Sequence, residues 1–151
     1  MSISLRAASA EDSPQVAEVL LSSRKAFLPY APLAHSEAEV HQWVREVLLP
    51  AGGVAVACEN RAVVGIVAVE RTAEAVWLNQ LYLLPSHVGR GIGAQLLARA
   101  LRQVSLPVRL YTFHANTRAR SFYERHGFKA IAFTDGAANE EQCPDVLYEL
   151  N

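Results

Sequence analysis

Three closely spaced glycines between an apolar segment and an amphipathic helix constrain the fold of this chain more than any other feature. Gly89, Gly91 and Gly93 follow the strand-like segment 76–84, which Pro85 ends. Apolar residues then recur at helical spacing, at Ile92, Leu96, Leu97, Ala100, Leu101 and Val104. Glycines at a helix start let main-chain N–H groups point outward, and such a helix end favours a bound phosphate. The sequence therefore predicts an α/β fold with an anion-binding loop where a strand meets a helix.

The periodicity of the whole chain predicts the element order βααβββαβαββ. Predicted helices cover about 11–27, 36–50, 92–104 and 116–126, and Ser36 with Glu39 has the spacing of a capping box. Predicted strands cover 3–7, 54–59, 62–71, 76–84, 107–113, 128–134 and 146–150. We therefore expect one α/β domain over residues 1–151, with a mixed sheet of six or seven strands flanked by about four helices.

The composition is that of a compact folded protein. The 151 residues are 51% hydrophobic and carry a net charge of −1, and no apolar run approaches the ~18 residues that span a bilayer. We expect a cytoplasmic protein that binds neither membrane nor nucleic acid. The two cysteines, Cys58 and Cys143, are expected to be free thiols, and no metal site is predicted.

Charge is segregated along the chain. Residues 89–129 carry eight basic side chains and one acidic one, whereas residues 130–151 carry five acidic side chains and no basic one. This pattern predicts an anionic ligand near the middle of the chain and a cationic ligand near its end.

The glycine spacing excludes two common phosphate-binding motifs. A Walker loop would require Gly-Lys-Ser/Thr at its end, which is absent. A dinucleotide fingerprint would follow the first strand and precede an acidic residue by about 20 positions, but no acidic residue occurs between Glu74 and Glu124. A nicotinamide-dependent oxidoreductase is therefore a poor fit.

A second motif lies about 25 residues further on. Asn116, at the end of a predicted strand, precedes Tyr123 by seven positions, and Gly127 and Phe128 follow. Two helical turns separate Asn116 from Tyr123, so both can lie along one side of the same helix.

The two motifs together resemble the GCN5-related N-acetyltransferase (GNAT) superfamily. Its acyl-CoA loop reads Gln/Arg-x-x-Gly-x-Gly/Ala, and its later signature reads Asn-x-x-Ala-x-x-x-Tyr-x-x-x-Gly-Phe. The first corresponds here to residues 88–93, and the second to Asn116, Ala119, Tyr123, Gly127 and Phe128. The resemblance implies a GNAT fold and an N-acetyltransferase that uses acetyl-CoA as its co-substrate.

The resemblance also implies roles for individual residues. Tyr123 would be the general acid that protonates the departing thiolate, and Asn116 would bind the pantetheine arm. The remaining residues implied to contact acetyl-CoA are Leu81, Tyr82, Leu83, Val88, Gly89, Arg90, Gly91, Ile92, Gly93, Ala94 and Arg120, with Arg118 and Arg125 as further candidate phosphate partners. Val88 occupies the Gln/Arg position of the loop motif, so one side-chain contact of the family is missing.

A second departure concerns the general base. Relatives that acetylate protein N-termini often have a glutamate on the strand before the asparagine, where this chain has Tyr111. The amine must lose a proton before it attacks the thioester. Candidates for accepting it are Glu140, Glu141, His35, or a water held by Asn79 and Gln80. We expect direct transfer in a ternary complex, without an acyl-enzyme.

The acceptor is expected to be a small cationic molecule with a primary amine. The final loop is acidic, and aromatic side chains could form a wall beside it. The residues expected to contact the acceptor are Tyr30, His35, Trp77, Asn79, Glu140 and Glu141. The alternative is a non-catalytic acyl-CoA-binding sensor or interaction domain, and a homodimer through the last strands is a further expectation.

Overall fold

A computed structural model describes residues 2–29 and 34–151, and its seven strands form one mixed sheet. The strands are β1 (Ile3–Ala7), β2 (Val54–Glu59), β3 (Ala62–Arg71), β4 (Val76–Leu83), β5 (Val108–Phe113), β6 (Lys129–Phe133) and β7 (Asp145–Leu150). Their spatial order is β1-β2-β3-β4-β5-β7-β6, and every neighbouring pair is antiparallel except β4 and β5. The predicted α/β fold class and element order are confirmed.

The helices lie close to their predicted positions. They are α1 (Ser13–Phe27), α2 (Glu37–Trp43), α3 (Leu49–Ala51), α4 (Ile92–Arg102) and α5 (Thr117–Arg125). A π-helical turn (Val44–Leu48) joins α2 to α3, so these two form one continuous helical segment, as predicted. Ser36 and Glu39 form the predicted capping box, with the Glu39 N–H donating to Ser36 Oγ over 3.1 Å. Helix α1 begins later than predicted, because residues Ala10–Asp12 form a separate 3-10 turn.

Helices cover both faces of the sheet, and each face has its own apolar core. On one face, α4 and α5 contribute Leu96, Leu97 and Tyr123 to a cluster with the sheet. On the other, α1 and the segment after α2 contribute Val16, Val19 and Val44. Strand β6 lies at the sheet edge, and all five of its residues are exposed.

The middle of the sheet opens between β4 and β5. These strands pair only at Val76 with Val108 and Trp77 with Arg109, and then they diverge. Strand β4 also has a bulge, because Ala68 pairs with Gln80 and Val69 with Leu78, leaving Asn79 as the extra residue. The remainder of β4 therefore keeps an edge without a strand partner, among the described residues, at the centre of the molecule.

Candidate active site

The glycine loop leaves main-chain N–H groups open at the start of α4. Gly89 and Gly91 have φ values of +84° and +81°, which a residue with a side chain rarely adopts. A Cβ atom added at either position would find no heavy atom within 4 Å, so both α-carbons face open space. The first N–H groups of α4, at Ile92, Gly93 and Ala94, have no partner one turn earlier in the helix. This loop and helix end fit a diphosphate.

A groove of about 530 Å³ begins at this loop, and we call it the glycine groove. It runs between Leu81–Leu83 of β4 and α5, and reaches Phe27 and Leu28 at the end of α1. Among the described residues, its charged side chains are Arg118 and Arg125, and no carboxylate lines it. Twelve of its lining residues were predicted from the sequence to contact acetyl-CoA: Leu81, Tyr82, Leu83, Val88, Gly89, Gly91, Gly93, Ala94, Asn116, Arg118, Tyr123 and Arg125.

Two predicted phosphate ligands face elsewhere. Arg120 donates from Nε to the Tyr148 hydroxyl over 3.0 Å, and its guanidinium also lies over the Phe133 ring. Arg90 donates to Glu59 Oε2 over 2.7 Å. Neither arginine lines the groove in this structure, because both side chains are bound to partners outside it, and their contact with the phosphates stays a prediction. The side chain of Ile92 is buried in the core, which leaves only its main-chain N–H for a ligand.

Asn116 holds the start of α5 and faces two cavities. Its Oδ1 accepts from the Ala119 N–H over 3.1 Å, as the N-cap of the helix. The same residue lines the glycine groove and the space between β4 and β5. Asn116 therefore fixes the helix that carries Tyr123.

Tyr123 lies at the inner end of the groove. Its ring packs edge-on against Phe122 and Phe128, and only 7% of the residue is exposed. None of the hydrogen bonds found among the described residues uses its hydroxyl. Burial, with a smaller effect from nearby Tyr82, raises the pKa of Tyr123 well above its usual value. Burial thus favours the neutral phenol over the phenolate in the absence of a ligand, and the hydroxyl carries a proton at neutral pH, as an unperturbed tyrosine does.

Two further cavities meet the groove at Tyr82. The strand cavity, about 650 Å³ between β4 and β5, is lined by residues of both strands and by Tyr123. The helical cavity, about 550 Å³, lies between α1, the α2 segment and residues 140–141 of the β6–β7 loop. Tyr82 lines all three spaces, so they converge on one point of β4.

The helical cavity is anionic, in contrast to the glycine groove. Among the described residues, four carboxylates line it: Glu39, Glu46, Glu140 and Glu141. The guanidinium of Arg24 and the imidazole of His35 also line it. The two spaces meet at Tyr82 and carry opposite charge, so each favours a ligand of a different sign.

Two side-chain contacts join the β6–β7 loop to α1 and to the residue pair before α2. Arg24 of α1 donates to Glu141 over 3.0 Å, with both side chains less than a fifth exposed. His35 Nε2 lies 3.1 Å from Glu140 Oε2. Three residues of the predicted acceptor site, His35, Glu140 and Glu141, are thus brought together although they come from segments about 100 residues apart.

Two other predicted acceptor residues, Trp77 and Asn79, are not part of this cavity. Trp77 stacks on Tyr111 with ring centroids 5.7 Å apart and lines none of the three spaces, because it lies where β4 and β5 are still paired. Asn79 lines the strand cavity, and its amide donates to Glu70 over 3.1 Å. Tyr30 lies outside the described residues.

Sequence reasoning missed Arg24, Glu39 and Glu46 as cavity residues. Glu39 and Glu46 are seven positions apart, a spacing that places two glutamates on one face of a helix, and this signal was available. Arg24 carried no signal, because its position depends on contact with a loop 117 residues away.

The fold and site define an α/β protein in which a groove that begins at a glycine loop meets two further cavities at Tyr82. The comparisons with known proteins agree. The family description "Acetyltransferase (GNAT) domain" matches residues 50–130, more than half of the chain. The chain belongs to the GNAT family: it is an N-acetyltransferase with acetyl-CoA as its co-substrate.

Similar proteins cover nearly the whole chain. A spermidine N(1)-acetyltransferase of Thermoplasma acidophilum is 29% identical over 91% of this chain and 94% of its own. The crystal structure of PaiA N-acetyltransferase from the same organism, in complex with coenzyme A, has a TM-score of 0.79 at 27% identity, covering 100% of this chain and 99% of that one. The solution structure of apo-form YjaB from Escherichia coli matches in fold, with a TM-score of 0.77 at 22% identity over 99% and 97% of the two chains.

Residues 2–29 and 34–151 contain neither a membrane-spanning helix nor a metal-binding group of side chains. No helix there is long and apolar enough to cross a bilayer. No three His, Cys, Asp or Glu side chains there are grouped so as to hold a metal ion.

Proposed function

We propose that this enzyme transfers the acetyl group of acetyl-CoA to a terminal primary amine of a linear polyamine. The observation that carries the proposal is the opposite charge of the two spaces that meet at Tyr82. Two arginines line the glycine groove, whereas four carboxylates line the helical cavity against one arginine. The groove thus suits a polyanionic donor and the cavity a polycationic acceptor. The similarity to a spermidine N(1)-acetyltransferase points to the same class of acceptor.

The donor is held by main-chain groups in this proposal. The N–H groups of Gly89 to Ala94 bind the diphosphate, and Arg118 and Arg125 replace Arg90 and Arg120 as its cationic neighbours. The open edge of Leu81–Leu83 and the Asn116 amide hold the pantetheine arm. Bound acetyl-CoA supplies the thioester carbon that the amine attacks and a thiolate that leaves.

Tyr123 donates the proton that the leaving sulfur takes up. Its hydroxyl carries a proton at neutral pH, and the residue lines both the groove and the strand cavity. Proton removal from the acceptor is assigned to Glu141, directly or through water. Glu141 is the one carboxylate that lines the helical and strand cavities together, whereas Glu140 lies only on the former. The amine attacks the thioester directly, in a ternary complex.

A thiol-release assay tests the proposal. We expect turnover with spermidine and other linear polyamines to exceed turnover with butylamine, which has one amine and no distal charge. The double variant Glu46→Gln, Glu140→Gln should raise the KM for the polyamine about tenfold, since exposed charge pairs contribute up to ~1 kcal/mol each. Its KM for acetyl-CoA should remain unchanged.

Glu37→Gln is the matched control. Glu37, in α2, is an exposed glutamate like Glu46 and Glu140, but it does not line the cavity. Both KM values should therefore be retained. A double variant that keeps the wild-type KM for the polyamine would refute the acceptor assignment. Coenzyme A binding without thiol release with any amine would favour the sensor alternative.

A further inference from the structure

We infer that Glu59 is a positioning residue for the glycine loop, which it holds from the outer side so that the loop's N–H groups stay directed into the groove. The inference rests on the proposed function only in that the groove binds an acyl-CoA. Glu59 itself lies at the end of β2, away from the groove, and does not contact the donor.

One carboxylate holds two points of the loop. Glu59 Oε1 lies 3.0 Å from His87 Nε2, and Glu59 Oε2 accepts from Arg90 over 2.7 Å. His87 is the last residue of a 3-10 turn (Pro85–His87), and Arg90 lies between Gly89 and Gly91. The side chains of Glu59 and His87 are only 11% and 14% exposed. The contacts therefore bracket the first left-handed glycine of the loop.

Such a loop needs a tether for an entropic reason. Glycine loses more conformational freedom than other residues when its backbone becomes fixed, and two glycines here must hold positive φ. Hydrogen bonds in which a partner is ionised are shorter and stronger than neutral ones. The hydrogen bonds from His87 and Arg90 lower the pKa of Glu59, which keeps the carboxylate charged. Glu59 thus lowers the cost of ordering the loop before the donor binds.

Arg90 belongs to the tether and not to the phosphate contacts. Its side chain is bound to Glu59 and does not line the groove, although its two neighbouring glycines do. The competing possibility is that Arg90 leaves Glu59 and contacts the phosphates when the donor binds. The two possibilities predict different results when Glu59 and Arg90 are replaced together.

The test measures coenzyme A binding by calorimetry and steady-state kinetics on four variants. Glu59→Gln keeps the shape of the side chain and removes its charge, and it should raise the Kd for coenzyme A about tenfold. The KM for acetyl-CoA should rise by a similar factor. The kcat and the KM for the amine should stay within about twofold of the wild-type values. Arg90→Gln should weaken binding in the wild type but cause no further loss in Glu59→Gln.

Glu149→Gln is the matched control. Glu149 is also a strand glutamate less than a fifth exposed, and it accepts from Arg109 over 2.8 Å far from the loop. It should lower the melting temperature about as much as Glu59→Gln without changing coenzyme A affinity.

Two results would overturn the inference. One is an unchanged Kd in Glu59→Gln, and the other is an equal loss from Arg90→Gln in both backgrounds, which is the signature of a direct phosphate contact. A wild-type protein that fails to bind coenzyme A would refute the proposed function instead.

Discussion

Replacing Tyr123 with phenylalanine removes a single hydroxyl from the point where the groove and the strand cavity meet. The ring contacts with Phe122 and Phe128 remain, and no hydrogen bond among the described residues is broken. A hydrogen bond to a charged group contributes roughly 1.5–3 kcal/mol. At 1.36 kcal/mol per factor of ten, the loss of the donor to the thiolate should lower kcat about 10- to 150-fold. The Kd for coenzyme A and the melting temperature should stay close to the wild-type values.

The assay is thiol release at saturating acetyl-CoA and polyamine, with Tyr148→Phe as the matched control. The Tyr148 hydroxyl donates to Glu124 over 2.6 Å and accepts from Arg120, and it lines none of the three cavities. Its removal should destabilise the fold by about 1–3 kcal/mol, because it breaks hydrogen bonds to two charged side chains, half-buried Arg120 and exposed Glu124, while kcat is retained below the melting transition. Wild-type turnover in Tyr123→Phe would refute the general-acid role.

Two further predictions concern the glycine loop and acid stability. Gly91→Asp should weaken coenzyme A binding at least tenfold, since it adds a negative charge beside the diphosphate; Gly52→Asp, also at positive φ with open space around the added Cβ, controls for backbone strain and should bind normally. Equal affinity of these two variants would contradict the loop assignment. The hydrogen bond from Arg6 lowers the pKa of Asp12 to about 2. The ionised carboxylate therefore stabilises the fold above its unfolded pKa of about 4, and this stability is lost as pH falls toward 2. Urea unfolding of Asp12→Asn should show a smaller loss between about pH 5 and pH 2 than the wild type, and parallel curves would contradict the ion pair's contribution.

Local patterns predicted the fold well. The glycine loop, the Ser36 capping box and the α5 motif each depend on a short stretch of neighbouring residues, so the sequence alone located them. The bulge at Asn79 and the short pairing of β4 with β5 could not be predicted from the sequence, because they depend on the register between strands.

The site was predicted less evenly. Leu81–Leu83 and the three glycines of the loop line the groove, as do Asn116 and Tyr123 of the later motif. The sequence positions of Arg90 and Arg120 did not indicate where their side chains lie. Each side chain is hydrogen-bonded to a residue outside the groove. A long charged side chain can reach several partners from one backbone position, and only the packed structure decides among them.

We propose that main-chain N–H groups at the start of α4 hold the diphosphate of coenzyme A, while its sulfur atom reaches Tyr123. A crystal structure of the complex with coenzyme A tests it most directly. We expect the diphosphate oxygens to lie within hydrogen-bonding distance of the amides of residues 89–94, and the sulfur to lie within hydrogen-bonding distance of the Tyr123 hydroxyl. Coenzyme A bound elsewhere, or a Tyr123 ring turned away from the sulfur, would contradict it.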